Sequence, residues 1–331
     1  MPIPRTVVIT GASAGVGRAT AVAFAHKGWN VALIARGKEG LEGARRDVEA
    51  AGGHALVVPA DVADSDAVFA AADQVVEQWG HIDVWINDAM VTIFSPVKDI
   101  KPEEFRRVTE VTYLGQVHGT MAALKHMRPR NQGTIVQVGS ALSYRAIPLQ
   151  SAYCGAKFAV RGFTDALRSE LEHERSRIRL TMVQLPAVNT PQFDWARSRM
   201  PRKLQPVPPI YQPEAIASEI VRAAFEAPRE LWIGRSALKA IFGGMLLPLL
   251  GDRILASEGY SGQMTPELAA PDRQDNLFEP VARDPGAHGR FDLLARPNVT
   301  GFDPVRLRAG IAFAFIAGAV GLIAMASTRR S

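Results

Sequence analysis

Residues 9–20 read ITGASAGVGRAT and continue directly from the apolar run TVVIT, 6–10. A β-branched run that passes into three glycines and then into a helix-forming segment reads as a strand, a tight turn and the first turn of a helix. Gly11 permits the turn, Gly15 lets backbone N–H groups approach a pyrophosphate, and Gly17 lets helix and strand pack closely. Three glycines alone also suit an ordinary strand-to-helix turn, so their weight comes from their placement.

Similar runs recur at NVALIA (30–35), HALVVPA (54–60), IDVWIN (82–87), GTIVQVGS (133–140), IRLTMVQL (178–185) and ELWIG (230–234). Between the first six strands lie segments of helical period at 16–28, 38–51, 65–79, 101–128 and 151–174. Strands apolar on both faces that alternate with helices predict a parallel sheet covered on each side, doubly wound, with ligands at the carboxyl ends of its strands. The Pro- and Arg-rich stretch 190–213 reads as a long loop or lid beside those ends. A helix over 214–226 and the seventh strand close the domain near residue 235.

Composition narrows the function. With 331 residues and 47% hydrophobic content the chain can bury a large core, and 38 Lys plus Arg against 33 Asp plus Glu leave a net charge of only +5. That charge has no basic block or interleaved aromatics, so no nucleic acid is expected as partner. The single cysteine, Cys154, excludes an intrachain disulfide and fits a reducing compartment. The histidines lack ligand spacing, so no metal is expected. No charged leader or cleavage site precedes the first strand, so no secretory signal is expected, and a main domain that takes a pyrophosphate cofactor is expected in the cytoplasm.

The second strand ends in Ala35-Arg36, where NAD-selective dinucleotide proteins carry an acid for the ribose hydroxyls. A guanidinium suits a 2′-phosphate instead, with Arg18 as a second cation, so NADP(H) is the predicted cofactor. Asp61, at the end of the third strand, is placed either to accept from the adenine amino group or to cap the following turn. In QSAYCGAKFAV, 150–160, Tyr153 and Lys157 stand four apart and share a helix face. A nearby cation favours phenolate and makes the tyrosine an acid/base, and Ser140, at the end of the fifth strand, reaches the same pocket.

TGASAGVG (10–17), Asp61, Ser140 and the YxxxK spacing of Tyr153 and Lys157 together resemble the short-chain dehydrogenase/reductase family over residues 5–235. The resemblance implies a Rossmann-type doubly wound seven-stranded parallel sheet, ordered 3-2-1-4-5-6-7. It also implies Tyr153 as proton donor or acceptor, Lys157 on the nicotinamide ribose and Ser140 polarising the carbonyl. Thr10, Ser13 and Val16 in the glycine motif, Val62 beside Asp61, and Asn87 and Ala89 after the fourth strand would contact the cofactor, as would Pro186, Val188 and Thr190 of PAVNT. Two positions depart from the family. Asn87-Asp88-Ala89-Met90 lacks the terminal glycine of NNAG, and Thr112 stands where a catalytic asparagine holds a water that links the lysine to solvent. These departures keep open a non-catalytic NADPH-binding sensor or scaffold.

AGIAFAFIAGAVGLIAMAS, 309–327, holds nineteen uncharged residues between arginines. As a helix it would span about 28 Å, which predicts a C-terminal transmembrane helix, with an apolar helix in an oligomer interface as the alternative. The organisation expected is therefore a catalytic Rossmann domain over 1–235, an extension over 236–305 at a substrate entrance, membrane surface or interface, and a membrane anchor over 306–331. The expected reaction is hydride transfer between nicotinamide and an apolar carbonyl or alcohol substrate. Phe94, Leu142, Ile147, Phe193 and Trp195 are expected around the pocket, and the family resemblance suggests a homo-oligomer.

Overall fold

The computed structural model describes residues 5–307. Its main strands are β1 (Thr6–Thr10), β2 (Asn30–Ala35), β3 (His54–Pro59), β4 (Val84–Asn87), β5 (Thr134–Ser140), β6 (Arg179–Leu185) and β7 (Glu230–Ile233). All seven run parallel, in the spatial order 3-2-1-4-5-6-7. An eighth, β8 (Gly301–Phe302), lies antiparallel on the β7 edge and comes from the extension.

Side chains of alternate parity along each strand enter opposite cores. Val7 and Ile9 of β1 join Val31, Leu33 and Ile86 on one face, under α1 (Gly15–Ala25), α2 (Lys38–Ala50) and a later helix over Pro213–Glu226. Val8 joins Ala32, Ile34 and Trp85 on the other, under α3 (Ser65–Trp79), α4 (Pro102–Thr109), α5 (Gly115–Met127) and α6 (Ser151–His173). With the helix over 213–226 as α7, this is a Rossmann-like α/β fold of three layers. The segment expected as one helix over 101–128 is broken by a π-type turn at Glu110–Leu114, a local widening that recurs at functional sites.

The stretch 190–213 is more ordered than a loop. Residues 202–204 pair antiparallel with 264–268, and 210–211 pair with both 187–188 and 295–296. Phe94, Phe193, Leu204, Ile210 and Phe291 form a small buried cluster there. Strands this short are held by partners 23 to 85 residues away, which local periodicity does not reveal. The rest of the extension contains α8 (Arg235–Leu246) and α9 (Pro248–Glu258), and it returns across the sheet to bury Leu277 beside Val62, Val108 and Val111.

The transmembrane helix that ended the expected fold class is corrected. Among the described residues no helix is long and apolar enough to cross a membrane. The longest, α6, has 23 residues but carries Lys157, Arg161, Asp165 and Arg168, and the apolar α8 and α9 reach only about 18 Å each against a core of about 30 Å. The stretch 309–327 lies outside the described residues, and the membrane partner inferred from it has no support.

Two glycines sit inside α2, at 40 and 43, where each costs about 1 kcal/mol of helix relative to alanine. A Cβ at Gly43 would collide with the Asp284 carboxylate, and one at Gly40 would lie 3.2 Å from Pro285. Gly43 allows close approach of the extension, and Gly40 allows close approach of both Ser13 in the glycine turn and the extension. If the extension is part of the core, Leu277→Ala should lower global stability by about 2–5 kcal/mol, as for any buried leucine. Chemical denaturation followed by far-UV circular dichroism tests this, and an unchanged midpoint would mean that residue 277 is not docked.

Candidate active site

β1, β4 and β5 end on the same edge of the sheet, and a cavity of ≈ 1020 Å³ opens there. The turn Gly11–Val16 floors one end, Ser140, Tyr153 and Lys157 line the middle, and Ala237, Ala240, Gly243 and Ile254 of α8 and α9 line the far end.

β5 delivers Ser140 in extended conformation, and its Oγ accepts a hydrogen bond from the Leu142 N–H at 3.1 Å. The first two turns of α6 put Tyr153 and Lys157 on one face, with the Lys157 Nζ 5.7 Å from the tyrosine ring centre. Lys157 is only 1% exposed and donates to the Val138 carbonyl at 2.7 Å. Burial pushes its pKa below the ordinary lysine value, and the Asp88 charge pulls it back up. Burial likewise pushes the Tyr153 phenol above its ordinary value. A hydrogen bond with Ser140 works the other way, and the charges of Cys154 and Asp88 push it further up. Desolvation is the largest influence, the expected lowering by Lys157 is not among the causes, and the phenol is neutral in this state.

The glycine turn is tight for a reason that can be located. Gly11 adopts φ +75, and a Cβ there would stand 2.9 Å from the Ala89 backbone; Gly15 adopts φ +54, and a Cβ there would stand 3.0 Å from Thr190. Gly11, Ser13, Gly15 and Val16 line the cavity, as do Arg36, Asp61, Val62, Ala89, Pro186, Val188 and Thr190. Five expected site residues do not line it. Thr10 clasps β1 to β4, its Oγ1 accepting from the Asp88 and Ala89 N–H groups at 3.1 and 3.2 Å. Gly17 packs beneath the turn, where a Cβ would come within 2.9 Å of Asp88.

Arg18 is buried and paired with Asp47 at 2.7 Å and with Asp284, so its charge is already neutralised. Asn87 is spent inside the core: its Oδ1 accepts from Trp85 at 2.8 Å, and its Nδ2 donates to Thr120 at 3.1 Å and Gln137 at 3.0 Å. Thr112, within the π-type turn, is fully buried, accepting from the Val91 N–H and donating to the Val91 carbonyl at 2.8 Å. Asp61 lines the cavity yet is ion-paired with Arg107 and caps the following turn through the Ala63 N–H at 3.0 Å. Of the expected aromatic and aliphatic lining, Leu142, Ile147, Phe193 and Trp195 reach the cavity, while Phe94 belongs to the small buried cluster.

Asp88 is the residue that sequence reasoning passed over. Its carboxyl lies between Gly17 and Lys157, and burial raises its pKa well above the ordinary carboxylate range. A carboxylate directly after the strand end VWIN, at the edge where the glycine turn also lies, was the available signal. The remaining cations on the cavity wall, Arg145, Lys239 and Arg283, come from loops and the extension.

With this geometry in hand, comparison with known proteins defines the class. The family model for short chain dehydrogenases matches residues 5–200, and the chain belongs to that family. It is therefore an oxidoreductase of alcohol or carbonyl groups that uses a nicotinamide cofactor. Among relatives, an uncharacterized oxidoreductase of Bacillus subtilis, YxnA, is 34% identical across 83% of this chain and 78% of its own. A fatty acyl-CoA reductase of Acinetobacter baylyi is 31% identical across 86% of this chain and 95% of its own. An alcohol dehydrogenase of the archaeon Thermococcus sibiricus, solved with 5-hydroxy-NADP, superposes with a TM-score of 0.59 at 28% identity, covering 69% of this chain and 95% of that one.

Because the Asp88 charge raises the Lys157 pKa, Asp88→Asn should lower it further. Lysine side-chain NMR titration is the check. An unmoved Lys157 titration would show that the two groups are not coupled.

Proposed function

We propose that the protein is an NADP(H)-dependent oxidoreductase that transfers hydride between nicotinamide and an apolar carbonyl or alcohol compound, with Tyr153 as acid/base. The observation that carries this reading is the convergence of Ser140, Tyr153 and Lys157 on the cavity that the glycine turn floors. The residues fit the cofactor, since Gly11 and Gly15 stand where any side chain would collide with Ala89 or Thr190. Backbone N–H groups of that turn and the α1 N-terminus would hold the pyrophosphate, and Lys157 would hold the nicotinamide ribose. When bound, the nicotinamide ring supplies or accepts the hydride.

The protein's own groups do the rest. Tyr153, kept neutral by burial, has a proton to give to a carbonyl oxygen as negative charge develops there, which completes the alcohol. Ser140 donates a second hydrogen bond to the same oxygen. The Lys157 cation, in the same water-poor pocket, stabilises the phenolate left behind. In the reverse direction the phenolate accepts the alcohol proton.

Two observations support the finer parts. Arg36 follows the uncharged Ala35 on the cavity wall, and the related alcohol dehydrogenase was solved with an NADP derivative. The aliphatic and aromatic lining at Leu142, Ile147, Phe193 and Trp195 suits an apolar substrate, in keeping with a relative named for fatty acyl-CoA. A cofactor-binding protein without turnover is the second reading, favoured by the engagement of the Thr112 hydroxyl with Val91.

One assay separates the two. NADPH absorbance should fall in the presence of long-chain aldehydes or ketones, and Tyr153→Phe should reduce the rate by about 10²–10⁴-fold. Tight NADPH binding without turnover on a broad panel in either direction would establish the second reading. Within an aldehyde series, kcat/KM should rise about fourfold per added methylene until the cavity is filled, at about 0.8 kcal/mol per buried CH₂. A flat series would remove the apolar assignment.

A further inference from the structure

The adenosine end of the cavity is only half built from the Rossmann core. Its outer wall comes from the extension, through Pro280, Val281, Arg283 and Pro285, which face Arg36, Gly37 and Gly40. Ion pairs and hydrogen bonds fasten this segment. Asp284 pairs with Arg18 and Arg46, the Gly286 carbonyl accepts the Gly15 N–H at 3.2 Å, and the carbonyls of Asn276 and Phe278 each accept from the Arg36 guanidinium at 2.6 Å. Further along, a Cβ on Gly289 would press on Thr190, at 2.5 Å from its carbonyl oxygen. The segment therefore touches the first βα turn, the end of β2 and the PAVNT stretch, three places a dinucleotide passes.

We propose that residues 276–289 are a strap belonging to the cofactor site, which closes over the adenosine half of NADP(H) and presents Arg283 to its 2′-phosphate. The proposal rests on the NADP(H) reading above. Charge decides which cation is available. Arg18 is already bracketed by Asp47 and Asp284, so an added phosphate there would meet two carboxylates. The hydrogen bonds of Arg36 to two carbonyls orient it, and no carboxylate is ion-paired with it among the described residues, although the charges of Asp61 and Glu279 act on it from nearby against that of Arg107. Arg283 is exposed, lines the same end of the cavity, and pairs with no carboxylate among the described residues. A 2′-phosphate between Arg36 and Arg283 would receive donors from both walls and tie strap to sheet. The α2 glycines belong to the same design, because Gly43 leaves the space that Asp284 occupies.

The Gly286 carbonyl occupies the Gly15 N–H, so a dinucleotide enters when the strap lifts, its pyrophosphate takes the place of that carbonyl, and the strap closes again on the adenosine half through Arg36 and Arg283. Bound NADPH should then hold it shut.

Dissociation constants for NADPH and NADH, from quenching of intrinsic fluorescence, test the proposal on wild type, Arg283→Ala and Arg36→Ala. Arg283→Ala should weaken NADPH roughly ten- to a hundredfold, the range of a charge-assisted contact, and leave NADH within about threefold. Arg283 is on the surface, so the variant should fold. Independently, tryptic cleavage of the wild type after Arg283 should slow roughly a hundredfold at NADPH about 100 times its Kd, because cleavage follows the open population. Gly43→Val, which fills the Asp284 site, should speed that cleavage without nucleotide. If the wild type prefers NADPH, Arg36→Ala abolishes the preference, Arg283→Ala binds both nucleotides as the wild type does, and NADPH leaves wild-type cleavage after Arg283 unslowed, the strap is overturned and the cofactor reading stands. Equal wild-type affinity for NADH and NADPH overturns both.

Discussion

β1 is hydrogen-bonded to β2 on one side and to β4 on the other, and the rest of the molecule depends on that position. Successive crossovers leave β1 in opposite directions, so the helices that follow β1 and β4 lie on opposite faces of the sheet and a crevice opens between their ends. Thr10 fastens the crevice by accepting from the first two N–H groups after β4. Gly11 can then turn against Ala89 with no side chain between them. The site is thus a consequence of strand order, with the polar residues added at its rim.

Beneath the rim, burial sets the electrostatics. Asp88, Tyr153 and Lys157 sit together in the wall of the cavity, and for each of them desolvation is the largest influence and favours the uncharged form. What charge remains is a property of the group, with each member's proton depending on its neighbours. The floor that positions them is rigid, because Trp85, Asn87, Thr120 and Gln137 satisfy one another's hydrogen bonds within the core. Asn87 serves the site from below and does not reach the cavity.

The extension completes both ends of the cavity. Its α8 and α9 extend one end of the cavity, and residues 276–289 wall the other. Leu277 in the core, β8 on the sheet edge and the pairing of 264–268 with 202–204 integrate it with the Rossmann layers. The stretch 190–213 is ordered by the same contacts. A segment that looks unpatterned in isolation is structured here by partners far away in the chain.

Legibility in the sequence followed the range of the interactions. The seven parallel strands and most of the helices between them were readable to within a few residues, because period and breakers are local, and the spacing of Tyr153 and Lys157 placed both on one helix face for the same reason; the π-type turn at Glu110–Leu114 and the short strands within 190–213 left no local mark. The glycine turn was recognisable because φ > 0 and close approach leave a compositional mark at Gly11 and Gly15. Ion pairing and hydrogen-bond partnership leave none. Whether Arg18 faced a phosphate or Asp284, whether Thr112 faced the pocket or Val91, and whether Asn87 faced the cofactor or Trp85 were decided only when distant segments met. The amino-acid sequence by itself determined the Rossmann sheet and the chemical groups at its edge. The tertiary structure alone decided which of those groups remain free, since a side chain's charge and donors are committed by its nearest neighbours in space, and those neighbours lie up to 266 residues away in the chain.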